Sequence, residues 1–388
     1  MVDTGIAPNE KRLLLNVSAP EDSGRPGKDE DKSDIADDVV GATLPGASGD
    51  PSSPSETVFS DAGHGTHVAG LALGGLASPD LTKLLDGRLA VRPMSVLQCV
   101  GDAIATPICG IPSTVLGEAI RYATRSTERD PETIKVLNIS LESDLPNDNH
   151  RNEIFQHQIL VVAAAGNRGR SLAGFESYPA RYGANPEQAL VVVAAHDKDG
   201  NLALFSNWGP NVVDLAAPGC SVESIELAGG RGARSGTSQA APLVSFAAGL
   251  LVSEGLSPLE AKHRILATVD RKAALVDKVR TGGALNIPRA LSIYDDIVEL
   301  GTGETLTGKL VGCIKSAAAC IPWDEIARVD SAATPNTATI TTLLRNHYTG
   351  SESVELKDLS VTLNVQGVER TFTGSQIRVV WPRMRNSR

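Results

Sequence analysis

The sequence contains no apolar run that approaches the roughly 20 residues needed to cross a lipid bilayer. It also opens without the charged segment and apolar stretch of a secretory signal. We therefore predict a chain that has no membrane span and carries no signal peptide.

Positive charge is not in excess, since 36 Lys and Arg oppose 46 Asp and Glu for a formal net charge of −10. A nucleic-acid binder needs a positive field that holds phosphates, so we predict that nucleic acid is not a partner. The 41% hydrophobic and 21% charged residues are ordinary for a globular protein. A chain of 388 residues can form one large domain and a smaller one.

The cysteines are few and odd in number. Cys99 with Cys109, and Cys313 with Cys320, are close enough in sequence to pair, which would leave Cys220 free. Five reduced thiols in a reducing compartment agree with the sequence equally well. The pattern leaves both states open.

Apolar runs alternate with helical patterns over most of the chain. Near-continuous Val, Ile and Ala runs are typical of strands buried on both faces of a parallel sheet. The sequence therefore predicts a doubly wound α/β domain, with a mostly parallel sheet covered by helices on both faces and a site at the carboxyl ends of its strands. The strands are predicted over 134–140, 159–164 and 189–195, and the helices over 113–127, 243–252 and 258–267.

Two further segments differ in composition from this pattern. Residues 19–57 are rich in Pro, Gly, Ser and Asp, which predicts a polar surface insertion. Strand-like runs at 339–343, 359–365 and 376–380, separated by turn residues, predict a small β-rich C-terminal domain over 299–388.

Four short blocks of the sequence are rich in small residues. Each surrounds one polar side chain with small residues, which allow close approach of backbone and substrate. His64 and His67 alone could suggest a metal pair, but carboxylate or cysteine partners are missing from the pattern. The G-x-S-x-G motif of α/β-hydrolases is absent around Ser238. The blocks are 2–5 (VDTG), 64–70 (HGTHVAG), 163–167 (AAAGN) and 236–242 (GTSQAAP).

In this order the blocks resemble the subtilisin-like serine protease family, and the resemblance extends over about residues 1–298. It implies a subtilisin-like fold, a peptide or protein substrate, and a catalytic triad. Ser238 would be the nucleophile and His64 its base. Asp3 would orient His64, and Asn167 would donate to the oxyanion.

The resemblance also implies a substrate groove, because residues 138–141 (NISL) are similar to the family's peptide-binding strand. Where that strand usually continues with glycine, this chain has Glu142. We hypothesise that Glu142 and Arg168 narrow the specificity. The candidate substrate-binding residues are Ser140, Leu141, Glu142, Ala164, Ala165, Gly166, Arg168 and Ser177.

Other expectations follow from the same resemblance. We expect no cofactor, because the calcium loops possible in the family are not recognisable, and the family favours a secreted or periplasmic location. Only Met1 and Val2 precede Asp3, whereas a strand usually has about five residues, so we expect a clipped chain or a shortened first strand. The rival to an endopeptidase is a non-catalytic, protease-like scaffold that binds peptides or partners.

Overall fold

The computed structural model divides the chain into two compact units. The first contains Met1–Ser253 and Val269–Asn286, and the second contains Glu254–Thr268 and Ile287–Arg388. The residues that the structure describes are 1–6, 42–44, 63–76, 85, 89–91, 94–96, 98–100, 108–110, 113–129, 134–146, 151–152, 154, 159–184, 189–227, 230–292, 295–315, 320–334, 336–344 and 347–382.

The first unit is built around a nine-stranded sheet with the order β12-β13-β9-β8-β7-β6-β1-β3-β2. All neighbouring strands are parallel except β12 and β13. Two hairpins, β4–β5 and β10–β11, lie outside this sheet. The elements are β1 (Val2–Asp3), β2 (Ala42–Thr43), α1 (His64–Ala72), β3 (Met94–Ser95), β4 (Gln98–Val100), β5 (Ile108–Gly110), α2 (Ser113–Arg129), β6 (Val136–Ile139), β7 (Leu160–Ala164), β8 (Leu190–His196), β9 (Leu215–Pro218), β10 (Val222–Ile225), β11 (Arg231–Arg234), α3 (Thr237–Ser253), β12 (Asp270–Arg271) and β13 (Gly283–Ala284).

The centre of the sheet is apolar along whole strands. Every residue of β7 is buried, and so is every residue of β8 except the last. Such strands have no solvent face, which is why they read as continuous Val and Ala runs rather than as alternating patterns. The predicted parallel α/β sheet is therefore confirmed.

Strand β1 has two residues and yet lies inside the sheet. It pairs in parallel with β3 on one side and with β6 on the other. The backbone N–H of Met94 donates to the Met1 carbonyl at 2.8 Å, and that of Val96 donates to the Asp3 carbonyl at 2.9 Å. Two neighbours fix the position of Asp3 although its strand is short.

The predicted insertion over 19–57 lies outside the described residues except at 42–44. There the edge strand β2 pairs in parallel with β3. Within the part of the chain that is described, no helix has the length and apolar character of a membrane span.

The second unit contains an eight-stranded antiparallel sheet with the order β20-β19-β18-β23-β14-β15-β21-β22. Its core includes Trp323, Ile326, Val361 and Phe372. Each of the three strands predicted for the β-rich domain is present. The elements are α4 (Pro258–Ala267), α5 (Ile287–Ser292), β14 (Asp296–Leu300), β15 (Thr305–Val311), β16 (Cys313–Lys315), β17 (Cys320–Pro322), β18 (Ile326–Thr334), β19 (Thr337–Leu344), β20 (His347–Glu355), β21 (Ser360–Val365), β22 (Val368–Thr373) and β23 (Ile377–Trp381).

The division into units differs from the predicted boundary between 298 and 299. That boundary falls inside β14, which pairs with β15 and β23, so the strand cannot be divided between two units. The second unit begins at Ile287 and also includes 254–268, where Ser257 caps α4 through a capping box with Glu260.

The cysteine pattern is partly resolved. Cys313 and Cys320 form a disulfide across the β16–β17 hairpin, and Cys220 is a free thiol. Cys99 and Cys109 lie opposite each other in the β4–β5 hairpin, and their side chains are outside the described part.

A buried ion pair connects Asp214, the residue before β9, with Arg280, and the same carboxylate also contacts β8. The Asp214 carboxylate is fully buried, accepts the Val192 backbone N–H at 2.9 Å and pairs with the Arg280 guanidinium. Arg280 also donates to the carbonyls of Gly183 at 2.8 Å and Asn211 at 2.7 Å. Arg280 is the cation that pairs with the buried Asp214 carboxylate, so removal of Arg280 leaves the negative charge of Asp214 without compensation.

We predict that Arg280→Met lowers the free energy of unfolding by about 3–5 kcal/mol, the usual cost of breaking a buried pair. Urea unfolding measures the change, and Lys198→Met is a matched control because the Lys198 side chain is 89% exposed. Equal unfolding midpoints for the two variants would contradict the prediction.

Candidate active site

Asp3 and His64 form a buried contact at the carboxyl end of β1. Asp3 Oδ1 lies 2.6 Å from His64 Nδ1, and both residues are buried. The same oxygen accepts the Thr4 backbone N–H at 2.8 Å. Because a carboxylate only accepts hydrogen bonds, Nδ1 carries the proton, and in the neutral ring Nε2 is left as the basic nitrogen.

Glycines permit this contact. A Cβ on Gly65 would collide with the Gly5 carbonyl oxygen, so only glycine lets the start of α1 approach the turn after β1. The Gly65 N–H donates to Thr4 Oγ1 at 3.1 Å, which ties the helix start to that turn. Gly63 precedes the helix with a left-handed φ of 80°.

Ser238 is the second residue of α3, where its backbone N–H lies in the first helical turn and has no intrahelical acceptor. Its hydroxyl donates to the Ser140 carbonyl at 3.1 Å. In return, the Ser140 hydroxyl donates to the Ser238 carbonyl at 3.0 Å. The end of β6 and the start of α3 are thus joined by two reciprocal bonds.

Pro242 makes the second of these bonds possible. In a regular helix the N–H of residue 242 would donate to the carbonyl of residue 238. Proline has no N–H, so the Ser238 carbonyl is released and accepts the Ser140 hydroxyl. Asn138 extends the connection, since its Nδ2 donates to Ser140 Oγ at 2.9 Å and its Oδ1 accepts from Ser245 Oγ at 2.9 Å.

The Asn167 side chain is oriented by the residue before Ser238. Its Oδ1 accepts the Thr237 backbone N–H at 2.8 Å and the Thr237 hydroxyl at 2.9 Å. A backbone N–H can only donate, so the amide oxygen must face Thr237. Nδ2, which has no acceptor among the described residues, therefore points away from Thr237 as an available donor.

The segment that carries Asn167 is anchored by a residue that the sequence analysis did not single out. Asn207 is fully buried; its Nδ2 donates to the Ala165 carbonyl at 2.9 Å, and its Oδ1 accepts the N–H groups of Arg168 at 3.1 Å and Arg170 at 3.0 Å. Its backbone N–H also donates to the Gly166 carbonyl at 2.9 Å. The segment 205–210 (FSNWGP) is similar in sequence to the subtilisin-like family, but that similarity assigned no role to Asn207.

Six of the eight predicted substrate-binding residues lie in two neighbouring segments near Ser238, and the other two lie on the loop that follows. Ser140, Leu141 and Glu142 continue β6, and Ala164, Ala165 and Gly166 end β7, its parallel neighbour. Arg168 and Ser177 lie on the following loop and both reach Glu142. The structure therefore brings all eight candidates into one region.

The Glu142 carboxylate contacts Ser177 and Arg168, and Arg168 in turn pairs with Asp144. Ser177 Oγ donates to Glu142 Oε2 at 3.0 Å, and Arg168 Nε lies 3.3 Å from Oε1. A terminal nitrogen of Arg168 lies closer to Asp144 Oδ1, at 2.8 Å. The hydrogen bond to Asp144 and the charge of Glu142 raise the pKa of Arg168.

The β10–β11 hairpin packs on α1 and contacts His67. The Ser224 hydroxyl donates to the His67 carbonyl at 2.8 Å, and His67 Nε2 lies 3.2 Å from the Gly232 carbonyl oxygen. The pKa of His67 is lowered, chiefly by burial and also by the positive charge of Arg234, against the Gly232 hydrogen bond and the charge of Glu226. His67 is therefore part of the packing between α1 and the β10–β11 hairpin, where burial disfavours its protonated form.

Among the described residues, no three or more His, Cys, Asp or Glu side chains are grouped so that they could hold a metal ion. The expected absence of a cofactor stays a prediction.

Comparison with known proteins gives a family match over most of the chain. A model of the subtilase family, peptidase S8, matches residues 1–287. Thermitase from Thermoactinomyces vulgaris is 31% identical over 212 residues, which are 54% of this chain and 68% of thermitase. The thermophilic serine proteinase from Bacillus sp. (strain AK1) is 35% identical over 212 residues, and the match spans 47% of its length.

A solved structure, described as the structural basis of subtilase cytotoxin SubAB assembly, has a TM-score of 0.54 and 23% identity to this chain. The match covers 75% of this chain and 87% of the other. This likeness concerns the fold.

The lowered pKa of His67 gives a pH dependence with a defined sign. Below the ordinary histidine pKa of about 6.5 the unfolded state binds more protons than the folded state, so stability falls as the pH falls through this range. We predict that His67→Gln loses less thermal stability than the unsubstituted protein between about pH 7.5 and pH 5. Thermal unfolding midpoints measure this, with His196→Gln as the control. An equal loss in His67→Gln and the unsubstituted protein would contradict it.

Proposed function

The chain belongs to the subtilase family of subtilisin-like serine endopeptidases, and we propose that it cleaves peptide bonds with Ser238 as nucleophile, His64 as general base and Asp3 as the group that orients His64. The observation that carries the proposal is the 2.6 Å contact between the buried Asp3 and His64 Nδ1. It holds the imidazole in the tautomer whose Nε2 can accept a proton.

In the first step, the Ser238 hydroxyl turns from the Ser140 carbonyl, gives its proton to His64 Nε2 and adds to the substrate carbonyl carbon. The carbonyl oxygen takes the negative charge. His64 then gives the proton to the amide nitrogen, the C–N bond breaks, and the amine leaves from an acyl-enzyme. Water then adds to the acyl carbonyl carbon while His64 takes its proton. His64 returns that proton to Ser238 Oγ as the ester bond breaks, which releases the acid and restores the Ser238 hydroxyl. The attack by Ser238 and the later attack by water both need His64 neutral, so we expect activity to fall at acidic pH.

The oxyanion would be held by two donors of fixed orientation. Asn167 Nδ2 is one, because the Thr237 bonds hold the amide oxygen on the opposite side. The Ser238 backbone N–H is the other, at a helix N-terminus where the helix dipole favours negative charge. Donors that are oriented before the reaction stabilise developing charge without reorganisation.

An extended substrate would lie between residues 140–142 and 164–166. These segments lie at the ends of two neighbouring parallel strands. The carbonyls of Ser140, Ala165 and Gly166 accept internal hydrogen bonds, so the peptide would pair with the backbone of Leu141 and Glu142.

We predict that a fluorophosphonate probe labels the protein and that Ser238→Ala abolishes the labelling, since the probe reacts only with an activated serine. Ser253→Ala, a change of an exposed serine on the same helix, should label fully. A folded protein that is not labelled would support a non-catalytic, protease-like scaffold instead.

Asn167→Leu should lower kcat by about 10²–10³-fold and leave KM nearly unchanged, because an oxyanion donor acts mainly in the transition state. Steady-state kinetics on a peptide substrate measure both constants. Asn201→Leu, on an exposed turn, provides the matched control. A rise in KM at constant kcat would assign Asn167 to substrate binding alone.

A further inference from the structure

Glu142 lies next to the point where a bound peptide would be cleaved. A Cβ on Gly166 would collide with Glu142 Oε2, so the carboxylate borders the residue that directly precedes Asn167. On the other side, Glu142 is two residues from Ser140, which exchanges hydrogen bonds with Ser238. The carboxylate therefore lies between the two segments that would hold the substrate, 140–142 and 164–166. In that position the side chain of the substrate residue whose carbonyl would be attacked, known as P1, would lie beside it.

The carboxylate is held in a defined orientation. Ser177 is buried, 1% exposed, and its hydroxyl donates to Glu142 Oε2 at 3.0 Å. The backbones of Ser143 and Tyr178 pair through hydrogen bonds of 2.9 and 2.8 Å, which joins the segment after β6 that contains Glu142 to the loop that contains Ser177. With Oε2 bound to Ser177, Oε1 is the oxygen available to a ligand.

A cation of this chain already contacts that oxygen. Arg168 Nε lies 3.3 Å from Oε1, longer than the 2.8 Å contact that the same guanidinium makes with Asp144. The Arg168 side chain is 43% exposed, and exposed ion pairs of this kind are weak. Arg168 also lies over the Phe175 ring, 5.4 Å from its centroid. It can thus keep Asp144 and Phe175 while another cation takes Oε1.

Resting on the proposed function, we propose that Glu142 selects substrates with a lysine or arginine at P1. The basic side chain would extend past Gly166 and donate to Oε1, while Ser177 stays on Oε2. Arg170 also lies over the Phe175 ring, 5.0 Å from its centroid, but among the described residues the ion-pair partner of Glu142 is Arg168. An apolar P1 side chain would instead cover the carboxylate without pairing it, which is unfavourable. An acidic one would be repelled.

The test uses peptides that differ only at P1, with Lys, Arg, Leu or Glu, and compares kcat/KM for the full chain and two variants. We expect the unsubstituted protein to favour Lys and Arg. Glu142→Gln should lower the Lys-to-Leu ratio about 10–100-fold, the effect of losing a charged hydrogen bond. Arg168→Ala should raise that ratio, because it removes the competing cation. Glu223→Gln, on a side chain 73% exposed, is the control for loss of one carboxylate.

The two variants change the ratio in opposite directions, which partial unfolding cannot do. Titration of active sites with the fluorophosphonate normalises each preparation. Labelling with an unchanged Lys-to-Leu ratio in Glu142→Gln would overturn this inference and leave the proposed function intact. Absence of labelling in the folded, unsubstituted protein would overturn both.

Discussion

The reciprocal hydrogen bonds between Ser140 and Ser238 are the constraint on which the rest of the site depends. They fix the first turn of α3 against the end of β6, and one of them ends on the Ser238 carbonyl, which Pro242 leaves without its helical donor. Thr237, one residue earlier, then meets Asn167. A proline inside a buried helix usually destabilises it, but here the freed carbonyl has a partner, so the loss of one helical bond joins the helix to the sheet.

The second constraint concerns the other half of the site. Asp3 belongs to a strand of two residues, and its position depends on β3 and β6, which flank it. Gly65 lets α1 begin against the turn after that strand, and this brings His64 to Asp3. The parallel sheet thus supplies both ends of the site from the carboxyl edge of neighbouring strands, which is where side chains of successive strands converge in doubly wound folds.

Much of this could be predicted from the sequence, because the information was local. The Val and Ala runs of β7 and β8 and the helix over 258–267 were visible as patterns of neighbouring residues. The four blocks predicted candidate residues for the site, and the structure brings two of them, Asp3 and His64, into contact. The bonds of Asn207 to a segment about 40 residues away were not predictable, since they depend on the fold and not on spacing. The predicted domain boundary between 298 and 299 falls within β14, because that strand is defined by its partners β15 and β23 and not by a local pattern.

Orientation of the proposed catalytic groups and the proposed recognition of the substrate depend on different kinds of contact. The proposed catalytic groups are oriented by buried side chains and backbone hydrogen bonds at strand ends and helix starts, where few other side-chain conformations are sterically possible. The proposed recognition involves Glu142 and Arg168, whose side chains are 29% and 43% exposed and whose contacts can exchange. The Glu142 side chain takes no part in the bonds between Ser140 and Ser238, which join the hydroxyl of each residue to the carbonyl of the other. Under the proposed function, a substitution at position 142 would therefore change the charge that a substrate meets while the arrangement of the proposed catalytic residues stays fixed.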